Sequence, residues 1–113
     1  MIVKNEADVE AQEVDEEGAK GVTIQWLIDD KTGAPNFAMR RFVIKKDGHT
    51  PLHNHDWEHE VFVLNGKGAL VDENGNEMPL NKNNFAFVPP NETHQFKNVG
   101  DEDFIFLCII PLK

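Results

Sequence analysis

Four histidines set the chemistry open to this chain. His53 and His55 stand one residue apart. Alternate residues of an extended strand share a face, so their imidazoles are expected side by side. His59 follows the bend Asp56-Trp57-Glu58 and opens the next extended stretch, facing back toward the first pair. His94 starts a strand just beyond Pro89-Pro90 and is placed to close the set. Four neutral imidazoles bind a first-row divalent ion and leave coordination positions open. The fifth histidine, His49, has no ligand spacing and is read as solvent-exposed.

The elements that must position these side chains are short strands. Val22 to Ile28, Phe37 to Ile44, Leu52 to His55, His59 to Leu64, Gly68 to Asp72, Asn83 to Val88, His94 to Asn98 and Phe104 to Ile110 carry β-branched, aromatic or alternating patterns. A further short strand is expected near Ile2-Val3. Turns are expected at Asp29 to Pro35, Lys45 to Gly48, Glu73 to Glu77 and Val99 to Asp103. Asn65-Gly66 is a hairpin signal, with Gly68 to Asp72 pairing back on the strand before it. No stretch sustains an apolar period of 3.6, so the pattern argues for an all-β sandwich or barrel.

The 113 residues suit one domain, read as an acidic N-terminal arm over 1–20 and a barrel over 21–113. Twenty acidic against eleven basic residues give a formal net charge of −9. That balance argues against nucleic acid and anionic membrane surfaces as partners. Cys108 is the single cysteine, so no internal disulfide or thiolate cluster can form. The longest apolar run, Phe104 to Leu112, falls far short of the ~20 residues of a membrane helix. The N-terminus lacks the basic-then-apolar layout of a signal peptide, and a cytoplasmic location is expected.

Two segments carry a resemblance to a known family. Gly48-His-Thr-Pro-Leu-His53-Asn-His55-Asp-Trp-Glu-His59-Glu-Val-Phe-Val-Leu-Asn-Gly66 resembles the first cupin motif, G-x5-H-x-H-x3,4-E-x6-G. Asn83-Asn-Phe-Ala-Phe-Val-Pro89-Pro-Asn-Glu-Thr-His94-Gln-Phe-Lys-Asn98 resembles the second, G-x5-P-x4-H-x3-N. The 16 residues between them match the short spacing of small microbial cupins. Three departures stand out. Four residues rather than five lie between Gly48 and His53, Asn83 replaces a glycine, and His59 stands where most cupins have Glu. Glu60 is the competing choice at that ligand position, and strand alternation allows only one of the two inside; His59 is favoured.

The resemblance implies a single-domain jelly-roll β-barrel holding one divalent transition metal on His53, His55, His59 and His94. Manganese or iron is the first expectation, with nickel, cobalt, copper and zinc as the other choices. It also implies that Phe106, Cys108 and Ile110 line a cavity beside the metal and that Arg40 reaches into it. Arg40 either holds a carboxylate or peroxide-like anion or pairs with one of the many acids. Cys108 is read first as a small core residue, and Trp57 as either shaping the entrance or packing. Glu58 and Glu60 are candidates to contact the imidazole N–H groups.

Two functions stay open on this reading. One is a mononuclear-metal oxidoreductase of dioxygenase type acting on a small organic substrate. The other is a non-catalytic module that binds or senses a small ligand; a metal-dependent structural role is the third and plainest reading. A homodimer is expected from the resemblance, with the N-terminal arm and Trp26 as candidates to cover a partner.

Overall fold

The computed structural model describes residues 1–112. Nine strands follow one another: β1 (Gln12–Glu13), β2 (Lys20–Ile28), β3 (Phe37–His49), β4 (His59–Asn65), β5 (Lys67–Asp72), β6 (Glu77–Asn81), β7 (Phe85–Val88), β8 (His94–Asn98) and β9 (Phe104–Pro111). Glu6–Asp8 and Asp30–Thr32 are short 3-10 turns, each closed by a reciprocal cap from Asn5 or Asp29. The strands hydrogen-bond in the order β6-β5-β8-β3-β9-β4-β7, with β2 on β3 and β1 on β2. This is the all-β, nearly closed jelly-roll barrel expected. Backbone bonds between Val63 and Asn83-Asn84 tie the β6–β7 loop onto β4 and bring the open edge in.

Alternation explains which side chains fill the barrel. In β4, His59, Val61 and Val63 are buried while Glu60, Phe62 and Leu64 point outward. In β8 the buried set is His94, Phe96 and Asn98, and in β9 it is Phe104, Phe106 and Cys108. Phe106 sits at the hub, stacked on Phe42 and packed against Phe96 and Phe104. Asn98 is buried but satisfied, donating to the carbonyl oxygens of Ile44 and Glu102.

Several expected boundaries change. Lys45 to Gly48 is not a turn: β3 runs through it to His49. Lys20 pairs with His49 and Val22 with Ile44, so the extra residues of β3 form a bulge. Asp47 takes a left-handed φ of 66° there, and Gly48 lies so close to the Lys20 carbonyl that a Cβ would sit 2.5 Å from it. Asn65-Gly66 is not a hairpin either. β4 is flanked by β9 and β7, and β5 by β8 and β6, so the pair carries the chain between two strands that are not neighbours in the sheet. Gly66, at φ 88°, makes that passage beside the Asp103 carbonyl.

Leu52 to His55 is reduced to one bridge, His53 with His94, since Pro51 has no N–H to extend a ladder. Ile2-Val3 is exposed and forms no strand; the arm pairs first at β1. β6 has no counterpart in the expected strands, because Met78-Pro79-Leu80 reads as a breaker. It is the outermost strand in the sheet order, where a proline is tolerated. Asn83 does adopt the left-handed backbone, φ 73°, in place of glycine.

Candidate metal and ligand site

The four histidines are brought together at one end of the barrel. His59 heads β4 and His94 heads β8, both buried. His53 is held beside His94 by paired backbone bonds, His53 N to His94 O at 3.1 Å and His94 N to His53 O at 2.9 Å. His55 follows on the same side and stacks on Trp57, ring centroids 4.4 Å apart. Ring centroids are 4.4 Å apart for His53–His55, 5.3 Å for His53–His94, 5.4 Å for His55–His59 and 4.7 Å for His59–His94. The widest of these separations, His55–His94, is 6.4 Å. Imidazoles sharing one ion at ~2.1 Å would have centroids roughly 4.5–6.5 Å apart. Glu60 lies outside the barrel, as alternation requires of the neighbour of His59.

The hydrogen bonding leaves donor atoms over. His94 Nδ1 donates to the Glu92 carbonyl at 2.9 Å, which makes Nε2 the lone-pair nitrogen. That Nε2 is buried with no partner among the described residues, as is His59 Nδ1, while His53 Nδ1 faces the Glu16 carboxylate at 3.8 Å. Burial holds all four imidazoles below their ordinary range, with His59 pushed to about 3. Neighbouring imidazoles deepen the shift for His53, His55 and His59, while the Glu92 hydrogen bond opposes it for His94. The rings are therefore neutral, the form that ligates metals. Among the described residues, no group of three or more His, Cys, Asp or Glu side chains is arranged to hold a metal ion as it stands.

Beside the histidines lies a cavity of about 310 Å³ whose walls are largely aromatic and aliphatic. Arg40, Trp57, Phe106, Cys108 and Ile110 all line it. Arg40 donates through Nη2 to Cys108 Sγ at 3.0 Å and lies over the rings of Phe42 and Trp26. It does not take the ion pair that an acidic chain offers: none of the ion pairs among the described residues includes it. Burial pushes the Cys108 thiol up, against the opposing effect of Arg40, so it stays protonated.

Other expectations change at the site. Glu58 and Glu60 face a groove on another side of the barrel. The imidazole contacts come instead from Glu92 and from Glu16, whose carboxylate lies 3.8 Å from His53 Nδ1. His49 is half-buried rather than exposed, its Nδ1 near Thr50 O and Gln95 Nε2. Trp26 and the arm cover this chain's own cavity, where Val14 and Glu16 form part of the wall. Gln25 fastens the arm by donating to the carbonyls of Glu6 and Val9. No local motif marks Val14 or Glu16. Phe96 was within reach of alternation, two residues after His94.

Residues 40–110 match the cupin domain family, Cupin_2. Auxin-binding protein 1 of Arabidopsis thaliana is 39% identical over 75 residues, 57% of this chain and 38% of that protein. The oxalate-binding protein of Thermotoga maritima is 36% identical over 62 residues, 54% of this chain and 50% of that one. The chain thus spans half or less of these curated relatives. The polyketide cyclase RemF from Streptomyces resistomycificus superposes with a TM-score of 0.93 at 35% identity, covering 100% of this chain and 80% of RemF. No helix among the described residues is long and apolar enough to cross a membrane. With both motifs inside the matched span and the barrel in place around them, the chain belongs to the cupin family.

Proposed function

We propose that this protein is a metal-dependent enzyme that acts on a small organic substrate with oxygen donors, by activating a carbonyl group as a cyclase does. One observation carries the reading. Two buried ring nitrogens, His59 Nδ1 and His94 Nε2, lack partners among the described residues at the head of an apolar cavity. Unsatisfied buried nitrogens are costly, and a ligand that uses their lone pairs offsets that cost. His53, His55, His59 and His94 would hold one divalent transition metal, with manganese, iron and zinc as the ions to test first. When bound, the ion would keep its full charge among four neutral donors and supply Lewis acidity to a carbonyl or enolate oxygen.

The chain's own residues do the rest. The aromatic walls exclude water and hold an apolar body. Glu16 steadies the His53 ring, and the Glu92 carbonyl fixes the tautomer of His94. Similarity to RemF over the whole chain supports a cyclase-type carbonyl reaction. An oxidative, dioxygenase-type reaction is the second reading, favoured by a largely apolar cavity and a donor set without a carboxylate, which stabilises a reduced ion. A linear triketone incubated with metal-loaded protein separates the two: loss of water without oxygen uptake supports cyclisation, and gain of oxygen atoms with oxygen uptake supports oxidation. Tight ligand binding with no product would favour the non-catalytic module.

A homodimer also belongs to this proposal. The outer face of β4 and β7 exposes Phe62, Phe85 and Phe87 beside a groove that includes Leu107 and Ile109. Two copies of a chain with net charge −9 repel elsewhere, and Glu60 is the one charged side chain among the described residues that line this groove. A second copy is the occupant it fits.

A further inference from the structure

Arg40 is a cation placed inside the cavity, and none of the ion pairs among the described residues includes it. Its guanidinium carbon lies 5.0 Å from the Phe42 ring centroid and 5.5 Å from that of Trp26. Those two rings fix the plane of the group. Its hydrogen bond goes to the neutral Cys108 thiol, and its Nε is buried without a partner. The chain carries 20 acidic residues, yet among the described residues Glu16 is the single acid in the cavity wall, and its carboxylate lies near His53. A charge enclosed by apolar walls is costly unless paired, and a guanidinium edge with free N–H groups matches a carboxylate in bidentate fashion.

We infer that the cavity selects a planar, aromatic or conjugated organic anion, whose carboxylate or enolate pairs with the free edge of Arg40 while its apolar body lies along the aromatic wall. This rests on the reading of the cavity as the substrate site and adds the class of substrate. A volume of about 310 Å³ lies at the small end of the ~300–1,000 Å³ typical of ligand pockets. One or two fused rings with one acidic group fit that space. Arg40 is on this account the residue that sets specificity by charge.

The test is calorimetric binding of naphthoate and of its neutral isostere naphthamide to chelator-treated protein. The wild type should bind the acid about tenfold tighter or more. Arg40→Gln should bring the two affinities together while still binding the amide, which shows the pocket intact, and Arg40→Lys should keep part of the preference. Equal affinities in the wild type, an undiminished preference in Arg40→Gln, or no binding of either up to about 1 mM would each overturn the inference. So would a preference lost in His94→Ala but kept in Arg40→Gln, since the anion would then sit at the histidines. If the protein takes up no metal yet shows the Arg40-dependent preference, the metal reading fails and this one stands.

Discussion

The Nδ1–H of His94 donates to the carbonyl oxygen of Glu92, two residues before it in the chain, at 2.9 Å. The bond is local and settles the tautomer: Nε2 has no proton, is buried, and has no partner among the described residues. A turn of the backbone therefore prepares one imidazole as a donor. The other three gather round it, but no three of these side chains are arranged to hold an ion as they stand. If these donors serve a metal, each ring matters to its affinity.

Acid should weaken the metal-free protein. His59 is held at about 3 in the fold against an ordinary 6.5. Below about pH 6.5 the unfolded chain takes up a proton that the native site refuses, so stability is full above that value and falls as the pH drops toward about 3. Unfolding of chelator-treated protein by denaturant should give a lower midpoint at about pH 5 than at about pH 7.5. His59→Gln should flatten the difference; an equal or larger difference in that variant would remove His59 as the cause.

Gly68→Ala should destabilise the barrel without touching the site. A Cβ there would enter the Phe104 ring, which is fully buried. Neither the ring nor the β5 backbone has room to yield, so a loss of about 1–3 kcal/mol or more is expected. Chemical denaturation measures it, and a change of a few tenths would contradict the packing described.

Gln25→Ala should loosen the arm. It frees the carbonyls of Glu6 and Val9 and removes the acceptor for Arg41 Nη1 at 2.8 Å. Hydrogen exchange should rise in residues 5–16, and stability should fall by about 1–3 kcal/mol. Unchanged protection of the arm would mean that other contacts hold it over the cavity.

Charging the outer apolar face should change assembly. The double substitution Phe85→Glu and Phe87→Glu adds charge at two strongly exposed rings on β7. If two copies meet there, sedimentation should shift from dimer to monomer with little change in secondary structure. A wild type that is monomeric at high concentration, or a variant that stays dimeric, would move or remove the interface.

The barrel and the four-histidine cluster were legible because each rests on a short-range rule. Period-2 alternation put His59 inside and Glu60 outside, and spacing put His53 beside His55. The structure departs from the local signals where the outcome depends on distant partners. Asn65-Gly66 carries a hairpin signature, but β4 and β5 are each claimed on both flanks by other strands. Lys45 to Gly48 has turn residues, but pairing of β3 with β2 on both sides of it makes it a bulge. Glu16 and Val14 reach the cavity only because Gln25 and β1 pin the arm across the barrel, and no local pattern encodes that.

The most direct test of the central claim is metal content. Protein purified without a chelating tag, exposed in turn to manganese, iron and zinc and then desalted, should retain about one divalent ion per chain by elemental analysis. His94→Ala and His59→Ala should each lower the affinity by at least the 10–100-fold scale seen when the supports of metal ligands are lost. Wild-type protein that retains none of these ions, or a His94→Ala variant that retains as much as the wild type, would contradict the account.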